Sequence, residues 1–202
     1  MTVAGLVLAA GAGRRLGQPK ALVELDGEPL IQRAVRLLHA GGCGLVHVVV
    51  GAGADQLPPH PGAVLVVNPR WREGLAVSLR CGLASLPGHV GAAVVVLVDQ
   101  PALDPVAVRR VCAAHAAGAP VAVASYAGRA GHPVVLSRAT WPLLGPYATG
   151  DRGARDFLRA RADLVTRVPC DGAGSPADLD TSADLARHRT AGRGRRDGEV
   201  GR

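Results

Sequence analysis

One lysine and a glycine-rich loop lie close together near the start of this 202-residue chain. Lys20 is the single lysine among 23 basic residues, and all the others are arginine. It closes the segment LAAGAGRRLGQPK (residues 8–20), where an apolar run enters a loop. Glycines let a backbone approach a ligand and turn its N–H groups toward an anion, while Arg15 and Lys20 can neutralise phosphoryl charge. The segment predicts a triphosphate-binding site.

Two other glycine-rich loops do not fit this spacing. A Walker A loop ends in Gly-Lys-Ser/Thr, whereas Gly17 is followed here by Gln-Pro. A dinucleotide loop has the pattern G-x-G-x-x-G and an acidic residue near the end of the second strand. Here the pattern is G-x-G-x-x-x-G, and the first acid after VVVGAG is Asp55. A flexible turn without a ligand would not require the Arg-Arg and Pro-Lys pairs, so we keep the phosphate-binding interpretation.

Asp99 is a candidate metal ligand. It ends the apolar run VVVLVD (94–99), and a carboxylate at the end of a strand beside a phosphate loop suits Mg²⁺. Asp104, directly before Pro105, is the better N-cap for the next helix, which leaves Asp99 free. Asp99 is therefore predicted to bind metal rather than to cap a helix.

The segment DLDTSADL (178–185) offers a second carboxylate, Asp180. Thr181 or Ser182 can cap the last helix, with Asp184 in its first turn. From the residues alone, Asp180 is equally compatible with a metal role and with a structural role.

Two further segments combine polar residues with turns. NPRWREGLAVS (68–78) leads into a helix whose N-terminal N–H groups suit an anion, and Trp71 either stacks on a flat ring or fills a gap. In GHP (131–133), we expect His132 to have a structural role. In TGDRGAR (149–155), the turn can place Asp151 or Arg152 in a cleft, and Asp151 is equally compatible with a helix cap.

Apolar strands alternate with helical patterns along the chain. The predicted strands are Val3–Ala9, Leu45–Val50, Ala63–Val67, Ala92–Val98, Val121–Ala124, Pro133–Leu136 and Leu164–Val168. The predicted helices are Pro29–His39, Gly74–Leu86, Pro105–Ala117, Arg152–Arg161 and Ser182–His188. Continuous apolar strands of this kind predict an α/β, Rossmann-like three-layer α/β/α fold with a mostly parallel sheet. Its site should lie at the carboxyl ends of the strands, near the topological switch point.

Composition limits the class of protein. Hydrophobic residues make up 48% and aromatic residues 2%, so the core must consist of Val, Leu and Ala. No apolar run approaches the roughly 18 residues of a membrane span, and we expect neither a membrane partner nor a secretory leader. Four cysteines without a CxxC pair suggest reduced thiols in a cytoplasmic protein rather than a zinc site or disulfides.

The positive charge is concentrated at the C-terminal end. The net charge is +7, and residues 187–202 contribute +4 of it. The segment 188–202 is rich in Gly and Arg without apolar periodicity, which predicts a disordered basic tail. It lacks the interleaved aromatics that stack on bases, so no specific nucleic-acid partner is expected.

Together, six segments resemble the MobA-like nucleotidyltransferases, and most closely the molybdenum-cofactor cytidylyltransferases. They are LAAGAGRRLGQPK, NPRWREGLAVSLR, LVDQP, GHP, TGDRGAR and DLDTSADL, in order between residues 3 and 187. The resemblance implies a fold of the nucleotide-diphospho-sugar transferase type in a single domain, residues 1–187. It also implies Mg²⁺ as cofactor, and attack by the terminal phosphate of molybdopterin on the α-phosphate of CTP, which releases pyrophosphate.

The resemblance also assigns residues. Arg15, Lys20 and Asp99 form the implied catalytic set, and Asp99 and Asp180 are the implied metal ligands. The predicted nucleotide contacts come from the end of the first strand and its loop, from the end of the third strand and the helix after it, and from the end of the fourth strand. They are Leu8, Ala9, Ala10, Gly11, Ala12, Gly13, Arg15, Lys20, Asn68, Ser78 and Asp99.

The choice of base depends on Ala10. Guanylyl members of the family commonly have Leu-Ala-Gly-Gly where this chain has Leu-Ala-Ala-Gly, and the extra methyl suits a pyrimidine better than guanine. CTP is therefore the predicted nucleotide, with GTP or ATP as alternatives. Another phosphorylated acceptor, or a non-catalytic cofactor carrier, also stays open as an alternative. A molybdoenzyme or its chaperone is the implied transient protein partner.

Overall fold

The computed structural model describes residues 2–58, 60, 62–147 and 150–188. Its strands are β1 (Thr2–Ala9), β2 (Glu24–Leu25), β3 (Glu28–Pro29), β4 (Val46–Val50), β5 (Val64–Val67), β6 (Val90–Leu97), β7 (Val121–Tyr126), β8 (Arg129–Ser137) and β9 (Val165–Pro169). Its helices are α1 (Leu30–Ala40), α2 (Leu75–Ser85), α3 (Pro105–Ala116), α4 (Arg155–Ala160) and α5, which comprises residues 182–188. The predicted basic tail lies outside the described residues, apart from His188.

Seven of these strands form one sheet in the order β5-β4-β1-β6-β8-β7-β9, and β2 and β3 form a separate hairpin. The pairs β4–β5, β1–β4, β1–β6 and β7–β9 are parallel. Within the described sheet, β8 alone runs in the opposite direction, antiparallel to both β6 and β7. The mostly parallel α/β sheet predicted from the sequence is therefore confirmed.

The strand sequences explain why helices cover both faces of the sheet. Side chains alternate between the faces, so neighbouring residues such as Leu6 and Val7 join different apolar clusters. One cluster packs against α1 and α3 through residues such as Leu38 and Val111. The other packs against α2 and α4 through Leu79 and others. The result is the predicted three-layer arrangement, with a core made mainly of aliphatic residues.

The structure differs from the predicted elements in the last third of the chain. The predicted helix Arg152–Arg161 is interrupted, because Gly153 has a φ of +57° and a right-handed helix cannot pass through it. A 3₁₀ turn, Gly150–Arg152, precedes it and α4 follows. The strand predicted as Pro133–Leu136 extends to Arg129–Ser137, because it pairs with β7 through a tight turn at Ala127 and Gly128.

None of the helices in the described ranges is long and apolar enough to cross a membrane.

Candidate active site

Two strand ends bring the predicted motifs together. β1 lies between β4 and β6, and the chain moves from β1 toward one sheet edge before it returns through α2 to β6 on the other side. Such a switch point opens a crevice beyond the carboxyl ends of the strands. The glycine loop follows β1, and Asp99 follows β6 by two residues, so both reach this crevice.

The glycine loop folds back on itself to deliver Lys20. The N–H of Leu16 donates to the carbonyl of Gly13 (2.8 Å), and the N–H of Lys20 donates to the carbonyl of Gly11 (3.2 Å). Gly13 has a φ of +57°, and a Cβ there would lie 2.0 Å from the carbonyl oxygen of Gln18. A side chain cannot fit at that position, so the loop conformation depends on this glycine.

Lys20 lies between two carboxylates. Its Nζ is 2.5 Å from Oδ2 of Asp99 and 2.6 Å from Oδ1 of Asp180. Nη1 of Arg15 is 3.7 Å from Oδ2 of Asp180. The side chains of Lys20 and Asp99 are only 18% and 13% exposed, whereas that of Arg15 is 76% exposed. The structure thus brings the predicted catalytic and metal-binding residues together, with the ammonium at their centre.

Burial and charge act in opposite directions on this cluster. Burial raises the pKa of Asp99 above its usual range, and the opposing effect of Lys20 does not cancel it. Burial lowers the pKa of Lys20, but the hydrogen bonds to Asp180 and Asp99 outweigh this effect, so the net pKa is raised. Lys20 therefore stays protonated. For Asp99, the positive charge of Lys20 is not sufficient to offset the effect of burial on the carboxyl pKa.

The carboxylates suit a divalent cation. Oδ1 of Asp99 is buried and finds no hydrogen-bond partner among the described residues. Within those residues, no group of three or more His, Cys, Asp or Glu forms a complete metal cage. Mg²⁺ is commonly held by one or two carboxylates together with waters and substrate phosphates. Asp99 and Asp180 fit that pattern.

A cleft of about 450 Å³ opens beside the cluster. Eight predicted contact residues line it, and they come from β1, the glycine loop, α2 and the segment after β6. They are Leu8, Ala10, Gly11, Ala12, Gly13, Lys20, Ser78 and Asp99.

Three other predicted contacts do not line this cleft. Ala9 faces the core on the α1 side of the sheet, as its position next to Leu8 and Ala10 requires. Arg15 points to Asp180, and its neighbour Arg14 lines the cleft instead. Asn68 is buried beneath the cleft. The predicted nucleotide contact of Ala9 is therefore wrong, whereas Arg15 and Asn68 contact residues of the site, Asp180 and Ser78.

Asn68 positions Ser78 and the following turn. Its Nδ2 donates to Oγ of Ser78 (3.0 Å), and its Oδ1 accepts from the N–H of Arg70 (3.0 Å). Asn68 is 2% exposed, so it holds the Ser78 hydroxyl and the N–H of Arg70 from the protein interior. Ser78 is itself among the residues that line the cleft.

The residues of the opposite wall of the cleft were only partly predicted from the sequence. Trp71 packs against Gly51, where a Cβ would come within 2.5 Å of the indole, and the guanidinium of Arg72 lies 4.5 Å from the ring centroid. Gly74 has a φ of +106° and closely approaches the backbone of Gly150. This contact places Asp151 in the lining.

Six lining residues were not among the contacts predicted from the sequence. They are Arg14, Arg72, Gly74, Leu75, Leu97 and Val98. Leu97 and Val98 come directly before Asp99, so the end of the apolar run was a usable signal. Arg72 and Leu75 had no comparable signal, because their exposure to the cleft depends on how the 71–75 turn packs.

Hydrogen bonds from the C-terminal segment position Asp180. The N–H of Leu179 donates to the carbonyl of Asp99 (2.7 Å), which ties the two aspartate segments together. Nε2 of Gln100 donates to Oδ1 of Asp178 (2.8 Å) and to the carbonyl of Pro176 (3.1 Å). These contacts hold the 176–180 segment against the end of β6.

Two predicted helix caps are present. Thr181 and Asp184 form a reciprocal cap, in which Asp184 Oδ2 accepts from the N–H of Thr181 (2.8 Å) and Thr181 Oγ1 accepts from the N–H of Asp184 (3.2 Å). The Thr181 hydroxyl also donates to Oδ2 of Asp184 (2.8 Å), and this hydrogen bond, followed by that of the Thr181 N–H, lowers the pKa of Asp184 to about 2. Asp104 caps α3 by accepting from the N–H of Val106 (2.7 Å), and this leaves Asp99 free of capping.

His132 lies outside the cleft lining. Burial lowers its pKa to about 4, and its backbone carbonyl accepts a hydrogen bond from the hydroxyl of Tyr126 (3.0 Å). The imidazole is therefore neutral at pH 7, in keeping with the structural role expected for it.

The fold and the cleft are those of an α/β protein whose candidate ligand site lies at a sheet switch point. Residues 5–166 match the family described as the MobA-like NTP transferase domain, and the chain belongs to this family of nucleotidyltransferases. The predicted family and the predicted fold are both confirmed.

Two relatives match nearly the whole chain. The nicotine blue oxidoreductase of Paenarthrobacter nicotinovorans is 35% identical over 92% of this chain and 95% of its own length. The molybdenum cofactor guanylyltransferase of Rhodobacter capsulatus is 36% identical over 93% of this chain and 95% of its own length. The narrower likeness to cytidylyltransferases stays a proposal.

Among solved structures, Rv0371c from Mycobacterium tuberculosis H37Rv is similar, with a TM-score of 0.82 and 29% identity. The alignment covers 94% of this chain and 98% of that one. A manganese complex of the same mycobacterial protein aligns with a TM-score of 0.78 and 26% identity, over 94% of this chain and 99% of that one.

Proposed function

We propose that this protein is a Mg²⁺-dependent enzyme that transfers CMP from CTP to the terminal phosphate of a molybdopterin-type acceptor. The observation that carries this proposal is the cluster of Lys20, Asp99 and Asp180 next to the glycine loop, at one end of an open cleft. Cations and backbone N–H groups are what a triphosphate requires, and paired carboxylates are what its metal ion requires. The catalytic unit is residues 1–187.

The reaction is an in-line displacement at phosphorus. An oxygen of the acceptor phosphate forms a bond to the α-phosphorus, the bond to the β-phosphate bridging oxygen breaks, and pyrophosphate leaves with that electron pair. The attacking phosphate is already an anion, so catalysis requires positioning and charge neutralisation rather than a strong base.

Each part of the site has a role in this scheme. The N–H groups of the glycine loop orient the triphosphate, and Lys20 and Arg15 neutralise charge on it. Asp99 and Asp180 would hold the divalent cation, which when bound would supply further neutralisation of the phosphates. The manganese complex of the mycobacterial neighbour supports a divalent ion in this fold.

Ala10 supports CTP, while one relative supports GTP. The Ala10 side chain is buried and lines the cleft, where its methyl narrows the space for a purine. The similarity to the molybdenum cofactor guanylyltransferase of Rhodobacter capsulatus supports GTP as the nucleotide and a molybdenum-cofactor acceptor. We choose CTP on the local geometry and make GTP the direct competitor in the test.

A redox reaction is the second candidate, because the Paenarthrobacter relative is named an oxidoreductase. The loop lacks the G-x-G-x-x-G spacing of a dinucleotide-binding loop, which ranks this candidate second. Reduction of nicotine blue by a reduced nicotinamide dinucleotide, without any pyrophosphate release, would select this candidate.

The deciding experiment measures pyrophosphate release with Mg²⁺ and molybdopterin, using CTP, GTP and ATP in turn. The test variant is Asp99→Asn, and the matched control is Asp163→Asn, whose carboxylate pairs with Arg161 at the surface. Release with CTP alone, abolished only in Asp99→Asn, is the expected result. Release with GTP or ATP would keep the mechanism and overturn the interpretation of Ala10. Binding of nucleotide without release by the wild type would favour a cofactor carrier.

A further inference from the structure

Lys20 contacts the same carboxylates that are proposed to hold the cation. Its Nζ is within 2.6 Å of an oxygen of Asp99 and an oxygen of Asp180, and its side chain is 18% exposed. An ammonium held this closely neutralises the charge that would otherwise attract a divalent ion. A divalent cation bound to either carboxylate, through these oxygens or through the unpartnered Oδ1 of Asp99, is therefore repelled by the ammonium.

We propose that Lys20 is an internal counter-ion that competes with the divalent cation for Asp99 and Asp180, and that the triphosphate releases this competition. The inference rests on the proposed function. When the triphosphate occupies the glycine loop, the ammonium gains phosphate oxygens as new partners and leaves the carboxylates. Nucleotide and cation binding are then coupled through one side chain, so the cation alone binds weakly.

The chemistry of lysine suits this exchange. Lysine is a point charge on a flexible stem, whereas arginine is a planar fork that binds in fixed directions. A compact ammonium fits between two carboxylates and can swing to a phosphate nearby. In a chain with 23 basic residues, the single lysine occupies the position where this property matters.

The carboxylates need a counter-ion when no nucleotide is bound. Asp99 is buried, and a buried carboxylate without a positive partner is costly. Asp180 lies on the other side of the ammonium, so two negative groups would face each other without Lys20. Arg15 is 3.7 Å from Asp180 but largely exposed, so it is a weaker substitute.

The first test measures Mn²⁺ binding without nucleotide by the electron paramagnetic resonance signal of free Mn²⁺. Lys20→Gln removes the competing ammonium, so Mn²⁺ should bind at least tenfold more tightly than it does to wild type. Arg14→Gln removes the same charge from the same loop but leaves the ammonium in place, and should change the affinity by no more than about twofold. Equal or weaker binding in Lys20→Gln overturns the proposal.

A double variant shows whether the tighter Mn²⁺ binding of Lys20→Gln arises at Asp99. Lys20→Gln combined with Asp99→Asn should lose the tighter Mn²⁺ binding. If the gain persists in the double variant, the ion binds elsewhere and the proposal is wrong.

The second test uses the wild-type protein and does not depend on a variant folding. Because Lys20 is the only lysine, lysine labelled with ¹³C at Cε gives a single side-chain NMR signal from this residue. CTP without metal should shift this signal, whereas Mg²⁺ alone, at a concentration that is saturating with CTP present, should leave it nearly unchanged. A signal that Mg²⁺ alone shifts fully would overturn the proposal.

The same spectra distinguish a failure of the lysine exchange from a failure of the proposed function. If CTP binds by calorimetry but the Lys20 signal stays in place, the exchange is wrong while the proposed function stands. If CTP, GTP and ATP all fail to bind, the proposed function and the exchange fail together.

Discussion

Asp99 combines a favourable position for chemistry with an unfavourable one for stability. It is buried, and one of its oxygens finds no hydrogen-bond partner in the described part of the chain. The raised pKa means that the ionised carboxylate destabilises the folded state near pH 7, where the unfolded chain carries the same charge at no cost. Residues kept at such a cost are typical of functional sites.

This conflict gives the first prediction. Asp99→Asn should lower kcat/KM for pyrophosphate release by about 10²-fold or more, because a metal ligand near the reacting phosphate is lost. Its Tm should equal or exceed that of wild type, because a buried charge is removed. Thermal unfolding and steady-state kinetics on the same preparation measure both. A variant that loses activity together with several degrees of Tm would point to a structural role for Asp99 instead.

Ala10 gives the second prediction. Ala10→Gly removes one methyl from the lining of the cleft and should raise the ratio of kcat/KM for GTP to that for CTP by about tenfold, as one methylene-sized group typically does. Ala12→Gly, the same change farther along the loop, is the matched control and should leave the ratio within about twofold of wild type. An unchanged ratio in Ala10→Gly would mean that this methyl does not select the base.

At the scale of elements, the glycine loop depends on backbone conformations that few residues adopt. Gly13 and Gly17 both have positive φ values, but they differ in their surroundings. A Cβ at Gly13 would meet the carbonyl oxygen of Gln18 at 2.0 Å, whereas a Cβ at Gly17 would meet nothing within 4 Å. Substitutions at these two glycines therefore distinguish the free-energy cost of a side chain on a left-handed backbone from the additional cost of a steric clash.

The third prediction uses this pair. Gly13→Ala should abolish detectable nucleotide binding, because the loop must open to admit the methyl and Lys20 is then displaced. Gly17→Ala should cost about 1 kcal/mol in unfolding free energy and weaken nucleotide binding by less than about fivefold. Urea unfolding and calorimetric titration with CTP provide the measurements. Similar CTP affinities in the two variants would show that the collision is relieved without moving the loop.

The elements that the sequence predicted well are those with strong apolar periodicity. Strands β1, β4, β5 and β6 and the long helices lie close to their predicted bounds. Their pattern of buried residues is visible in short stretches of the sequence itself. The β2–β3 hairpin was missed although Asp26-Gly27 is a strong turn signal, since its strands have only two residues each. The 3₁₀ segment Arg138–Leu144 was also missed, because it has no clear period.

The candidate site divides in the same way. The glycine loop and Asp99 are marked by unusual residue types at a strand end, so the residues alone were sufficient to predict them, whereas Asp180 was predicted as a metal ligand only through the family resemblance. The placement of Asp151 results from the close approach of Gly74 to Gly150, two segments far apart in the chain. No local pattern specifies such a contact, and the same holds for the hydrogen bonds from Gln100 to the 176–178 segment.

At the scale of the whole molecule, stability should depend on pH through several groups that act in opposite directions. Burial lowers the pKa values of His47 and His132, so the unfolded chain binds protons more readily and acid destabilises the fold. The raised pKa of Asp99 has the opposite effect, because the folded state takes up that proton more readily as the pH falls. The depressed pKa of Asp184 adds a loss of stability only below about pH 4.

His132 should give the largest contribution of a histidine to this dependence. Its pKa falls from 6.5 to about 4 on folding, so its contribution is fully present above pH 6.5 and is lost progressively down to pH 4. Because its side chain is partly exposed, we expect a loss of about 1–3 kcal/mol, below the full value of the shift. Urea unfolding at pH 7, 6, 5 and 4 should show wild type losing that much more stability than His132→Gln. His89→Gln makes the same change at an exposed position and is the matched control. Equal pH profiles for His132→Gln and wild type would mean that His132 accepts a proton in the folded protein as readily as in the unfolded chain.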